Sequence, residues 1–148
     1  MKPNVQYIFF DESGKPEVYS SKGTNLVTEG TATKFLILAA VRSSDQLLLQ
    51  QQVTEFRLSL LKDPSLTNIF SPSYSLDSFH AQTDYPEVKE KFLNFITTLD
   101  IKIDVLIVEK LKCHTPLQQD SGKLYGVMAG QLLRNLIHQI PNTEVIFF

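Results

Sequence analysis

The sequence predicts a mixed α/β fold, a sheet of about five strands with helices packed on it. Two short apolar runs, residues 7–10 and 34–41, read as strands, the second covered on both faces. Apolar residues recur at helical spacing in three later segments. In the second half of the chain helices and strands alternate, as they do when helices pack on a sheet.

The first strand covers residues 5–10 and runs straight into Asp11-Glu12-Ser13-Gly14. A β-ribbon is expected next, from β-prone pieces at residues 16–21 and 25–28. The apolar run Phe35-Leu36-Ile37-Leu38-Ala39-Ala40-Val41 is a central strand. Ser43 and Gln46 have capping-box spacing, so a helix starts there. Leu49, Val53, Phe56 and Leu60 form its apolar face, and Pro64 ends it. Residues 65–78 read as a loop. Phe79-His80-Ala81 is a short extended piece. Asp84 and Glu87 repeat the capping-box spacing, with Pro86 in the first turn of a second helix. Its stripe is Val88, Phe92, Phe95 and Leu99.

Residues 101–108 form the next strand, in which Asp104 is expected to face solvent. It ends at Glu109-Lys110, and a polar loop covers residues 111–119. Asp120 or Ser121 caps the last helix, whose face is Leu124, Met128, Leu132 or Leu133, Leu136 and Ile140. After Pro141-Asn142 a final strand begins at Thr143. It stops at Phe148, so the fold is expected to continue past this point.

The 148 residues are one domain's length of chain. Fourteen basic and sixteen acidic side chains give a formal charge of -2, which argues against a protein that coats DNA nonspecifically. A few lysines around an acidic centre would still suit a nuclease. The single cysteine, Cys113, excludes an intrachain disulfide and fits a reducing cytoplasm. No apolar run approaches the roughly 20 residues of a membrane span. A soluble cytoplasmic protein is expected.

The element order resembles the ribonuclease H-like fold. The opening Tyr7-Ile8-Phe9-Phe10-Asp11-Glu12-Ser13-Gly14 resembles that of the bacterial domain-of-unknown-function family 3800, as do Phe79-His80-Ala81 before a helix and Leu124-Tyr125-Gly126 within one. The resemblance spans nearly the whole chain, and its specific parts are the Asp-Glu-Ser-Gly and Phe-His-Ala pieces. It implies a ribonuclease H-like domain, a nucleolytic activity, and further acids beyond the fifth strand.

Asp11 is the principal candidate, as a Mg²⁺ or Mn²⁺ ligand, because hard cations take carboxylate oxygens. Glu12 is its neighbour, but strand alternation turns adjacent side chains to opposite faces. His80 could ligate, contact phosphate or shuttle a proton. Glu109 would supply a second carboxylate if its strand runs parallel to the first, since ligands of α/β sheets bind beyond the strands' carboxyl ends. Lys110 and Lys112 would then contact phosphate. Each has a plainer reading. Asp11 and Ser13 could bond local backbone in a turn; His80 could bridge a loop; Glu109 could be a solvated strand end. Two functions follow: a metal-dependent nucleic-acid phosphodiesterase using Asp11, His80 and Glu109, or a non-catalytic protein that keeps the fold for binding or assembly. A homodimer is expected if the last strand's edge stays open.

Overall fold

The computed structural model describes residues 5–66, 79, 83–140 and 143–148. The chain divides into two compact units, Met1–Ser44 with Ile101–Phe148, and Asp45–Asp100. Each is described by itself.

The first unit holds a mixed sheet. Its strands are β1 (Val5–Ser13), β2 (Phe35–Ser43), β3 (Lys102–Glu109) and β4 (Glu144–Phe147). Their spatial order is β3-β2-β1-β4. β1 and β2 are antiparallel, as are β2 and β3, whereas β4 runs parallel to β1. β3 therefore points the same way as β1, two places across the sheet. The sheet has four strands among the described residues, where about five were expected. The missing one is the ribbon. Between residues 16 and 28 only a single bridge forms, Tyr19 with Asn25. Asn25 accepts from the amides of Val27 and Thr28 through its side chain, so local turns take the hydrogen bonds a ribbon would need.

One helix covers one face of this sheet. It is introduced by a short helix α3 (Thr115–Gln118) and runs as α4 over Ser121–Gln139. Asp120 is its N-cap and accepts from the Lys123 amide. Leu124, Met128, Leu132 and Leu136 recur every fourth residue and are all buried. They meet Ile8, Leu36, Leu38 and Ala40, the inward residues of β1 and β2. Removing each such side chain from water stabilises the fold by about 1.5–3 kcal/mol.

The same face carries a polar clasp that the sequence pattern does not suggest. Asp104 is paired rather than solvated. Arg42, nearly fully buried, donates to it from Nε at 2.9 Å and to Gln139 from Nη2. Gln139 Nε2 donates back to Asp104 at 3.3 Å. Asp104 lies opposite Ala40, two residues before Arg42 on β2, so the pair is diagonal across the two strands. The clasp ties the end of α4 to the sheet.

The second unit, intervening in sequence between β2 and β3, contains α1 (Gln46–Leu61) and α2 (Pro86–Ile96). Asp45, not Ser43, caps α1, accepting from the Leu48 amide. Ser43 belongs to β2 instead. Tyr85 occupies the cap position of α2 and makes no side-chain capping bond there, and Pro86 supplies the first turn. Leu60, Leu66 and Val88 form this unit's core, with Phe56 stacked on Phe95 at 4.2 Å between centroids. No helix among the described residues is long and apolar enough to cross a membrane.

The covered face of α4 should dominate the stability of the first unit. Leu136→Ala should lower the unfolding free energy by about 2–5 kcal/mol through transfer and cavity terms. Its exposed neighbour, in Ile137→Ala, should change it by about 0.5 kcal/mol or less. Urea denaturation of the two variants compares them directly.

Candidate functional site

β1 brings Asp11 and Glu12 to its carboxyl end and separates them. Ile8 is fully buried under α4, so Phe10 and Glu12 share its face while Phe9 and Asp11 take the other. The ring contacts show the same division. Phe10 stacks on Phe147, and Phe9 stacks on Phe148 with centroids 5.0 Å apart. The parallel ladder with β4 continues to this level, since Phe148 N donates to Ile8 O and Phe10 N donates to Phe148 O. Asp11 is the next residue. Both acids are exposed. Among the described residues neither carboxylate has a hydrogen-bond or ion-pair partner.

A cavity of about 240 Å³ lies beside this point. Phe10, Asp11 and Leu38 line it from the sheet, and Tyr125, Ala129, Leu132 and Leu133 from α4. It is mostly apolar. Phe10 and Tyr125 are 37% and 38% exposed, so two aromatic side chains stand partly open along this groove. Phe10 lies exposed at the strand's end, beside the groove that Ala129 and Leu133 of α4 line.

Glu109 lies elsewhere. It shares Asp11's face, because Asp11 pairs with Ala39 and Ala39 with Val105, four residues before Glu109 on β3. Two strand spacings and four residue rises put the two acids about 16 Å apart at the backbone. Glu109 also has partners of its own. Lys34 Nζ approaches Oε1 at 3.0 Å and Lys112 Nζ approaches Oε2 at 2.7 Å. Lys112, then Lys34, hold its carboxyl below the usual glutamate range. Lys112 is thereby engaged with Glu109.

Lys110 is placed differently again. It is completely buried, and its Nζ donates to the carbonyls of Lys15 and Glu17, both at 2.9 Å. Burial pushes its ammonium below the ordinary lysine range, opposed by the charge of Glu17. A lysine held this way does not reach a phosphate outside the fold. Cys113 is half-buried, and its thiol is raised by burial, the opposite of an activated nucleophile. His80 lies outside the described residues.

The residues present fit a divalent cation to a limited degree. Asp11 offers one exposed hard donor, enough for a Mg²⁺ that keeps most of its waters and takes its remaining ligands from a phosphate. Among the described residues no group of three acids, histidines or cysteines gathers to hold an ion. Asp11, Glu12 and Glu109 are not brought together, and a two-ion centre is not assembled from them.

The ion pairs at Glu109 carry a pH signature. With its folded pKa lowered, the pairing stabilises the fold above the ordinary glutamate range, and that contribution is lost as pH falls through the lowered value. Carboxyl ¹³C titration should find Glu109 ionising at lower pH than a free glutamate, and Lys112→Ala should move it upward. No protein-family model matches the chain, and neither does any curated protein or solved structure.

Proposed function

We propose that this chain acts on single-stranded nucleic acid as a metal-dependent phosphodiesterase of ribonuclease H-like fold, with Asp11 as the acid that anchors the metal. One observation carries the reading: the strand that ends at the exposed Asp11 also forms, through Phe10, one wall of an apolar groove with an open aromatic side chain on each side. An unpaired base stacks on such rings whatever its identity. A phosphate beside that base would lie near Asp11. The mixed sheet supports the fold assignment, since the first strand, which carries Asp11, lies inside it between β2 and β4. The opening Asp-Glu-Ser-Gly supports membership of domain-of-unknown-function family 3800.

In this reading the protein supplies position. Phe10 and Tyr125 hold a base, Leu38 and Leu132 keep water from one side of it, and Asp11 stands at the strand's end one residue past Phe10. A bound Mg²⁺ or Mn²⁺ would supply Lewis-acid polarisation of the phosphodiester. His80 remains the assisting residue named by the family motif.

Cleavage of a labelled single-stranded oligonucleotide with Mn²⁺ tests the proposal. Asp11→Asn should abolish it at an unchanged melting temperature. Tyr125→Ala should weaken binding by roughly tenfold, one stacked base's worth. Cleavage that survives in the Asp11 variant removes Asp11 from the chemistry.

The second reading is an assembly protein, and a different observation favours it. Ile103, Val105 and Ile107 stand exposed in a row on one face of β3, an edge strand among the described residues. Such a row on an open edge suits pairing with a second copy of this chain. Sedimentation should then show a dimer that Val105→Lys converts to monomer. A monomer at every concentration in the unmodified chain would exclude it.

A further inference from the structure

The exits of β1 and β3 and the entry of β2 meet at one point, and a single buried charge sits there. Lys110 follows β3 directly. Its backbone N donates to Lys34 O just before β2, at 3.1 Å. Its side chain turns inward to the segment after β1, where Nζ holds Lys15 O and Glu17 O. An ammonium has three donors, and two are spent on backbone carbonyls of this segment.

The turn it holds is confined from the other side as well. Gly14 has φ +86°, a left-handed conformation that a side chain resists. A Cβ added there would lie 2.6 Å from Phe35 O and 2.6 Å from Thr33 Oγ1. Thr33 Oγ1 in turn donates to Phe35 O at 2.8 Å. The backbone after Ser13 thus runs against the start of β2 with no room to shift toward it. Beyond the turn, Val18 is buried and Gln118 Nε2 donates to Leu111 O and Cys113 O, so both flanks of Lys110 are fixed.

A buried lysine without a carboxylate contact carries a desolvation cost that a methionine of similar length would not. The ammonium's geometry accounts for it: two carbonyls from alternate residues of one turn, joined to one side chain. We propose that Lys110 is a positioning residue, a clamp that fixes the turn following Asp11-Glu12-Ser13 and so holds the Asp11 carboxylate at the end of the sheet. The clamp is a statement about the fold. Its consequence for Asp11 rests on the phosphodiesterase reading above.

The experiment needs no variant for its first arm. In the unmodified chain the Lys110 ammonium should give a ¹H–¹⁵N cross-peak at neutral pH, because burial and hydrogen bonding slow its proton exchange. Acylation followed by mass spectrometry should find Lys110 modified at least 100-fold more slowly than the exposed Lys22, on the order of the protection that a buried group gains from an opening free energy of about 3 kcal/mol. A Lys110 that reacts as fast as Lys22 overturns the clamp. The second arm is Lys110→Met. Amide exchange at Ser20, Gly23 and Leu26, whose N–H groups are bonded within the held segment, should quicken at least tenfold in this variant while the amides of α4 keep their protection. Unchanged exchange at those three residues also overturns the clamp. The third arm adds Mn²⁺ and follows paramagnetic broadening of Phe10 to Ser13. Broadening present in the unmodified chain and weakened in Lys110→Met supports the link to Asp11. Broadening equal in both refutes that link. If no broadening occurs in the unmodified chain, the metal reading fails alone and the first two arms still decide the clamp.

Discussion

The burial of Ile8 beneath α4 governs the end of the sheet where the candidate chemistry lies. A strand has two faces and no intermediate setting, so fixing one residue inward fixes every other. With Ile8 fully buried, Phe10 must look toward the helix and Asp11 away from it. The same parity passes through the register to β2 and β3. Leu36, Leu38 and Ala40 face the helix, as do Leu106 and Val108, while Val105 and Ile107 face away and remain exposed. A slip of one residue in β1 would exchange the fates of Asp11 and Glu12. The hydrophobic stripe of α4 therefore decides which acid shares a face with Glu109.

Much of this was legible in the sequence, and what was not has identifiable physical causes. The strand at Phe35, the stripe Leu124, Met128, Leu132 and Leu136, and the cap at Asp120 were readable because each depends on local pattern alone. So was the separation of Asp11 from Glu12, which follows from alternation. The ribbon was misread because β-propensity in residues 16–28 competes with Asn25 and Ser20, whose side chains satisfy the backbone locally. Ser43 looked like a cap because its spacing to Gln46 is right, but β2 extends through it and Asp45 stands at the helix start, where it accepts from the Leu48 amide. Asp104 looked like a surface residue because nothing in its own strand reveals Arg42, which is 62 positions away.

The two lysines after β3 show why charge in a sequence does not identify its use. Lys110 and Lys112 are two residues apart and equally suited, on paper, to a phosphate. The 3₁₀ turn over Lys110–Lys112 sends one inward and leaves the other at the surface. Lys110 then meets carbonyl oxygens, which satisfy its donors without neutralising it. Lys112 meets Glu109, which neutralises it in water where the pairing is weak. The sequence signal that could have separated them is the position of Lys110 directly after an apolar strand, where the next inward side chain is buried whatever its charge.

The placement of Asp11 bears on what kind of metal site this sheet could offer. In a two-ion site several carboxylates must converge within a few ångströms, and their mutual repulsion is relieved by the ions. Asp11 has no carboxylate near it on its own face: Glu12 is turned away, and Glu109 is four residues distant on β3 and already balanced by Lys34 and Lys112. An isolated, exposed carboxylate holds a divalent cation weakly in water, because it must compete with the ion's hydration. Its affinity rises when a phosphate arrives and contributes ligands of its own. Under the proposed function, a base seated between Phe10 and Tyr125 would bring its phosphate to the end of β1, one residue from Asp11. Metal and nucleic acid would then bind cooperatively, each weak alone, and the aromatic pair would be as necessary to the metal as the carboxylate is.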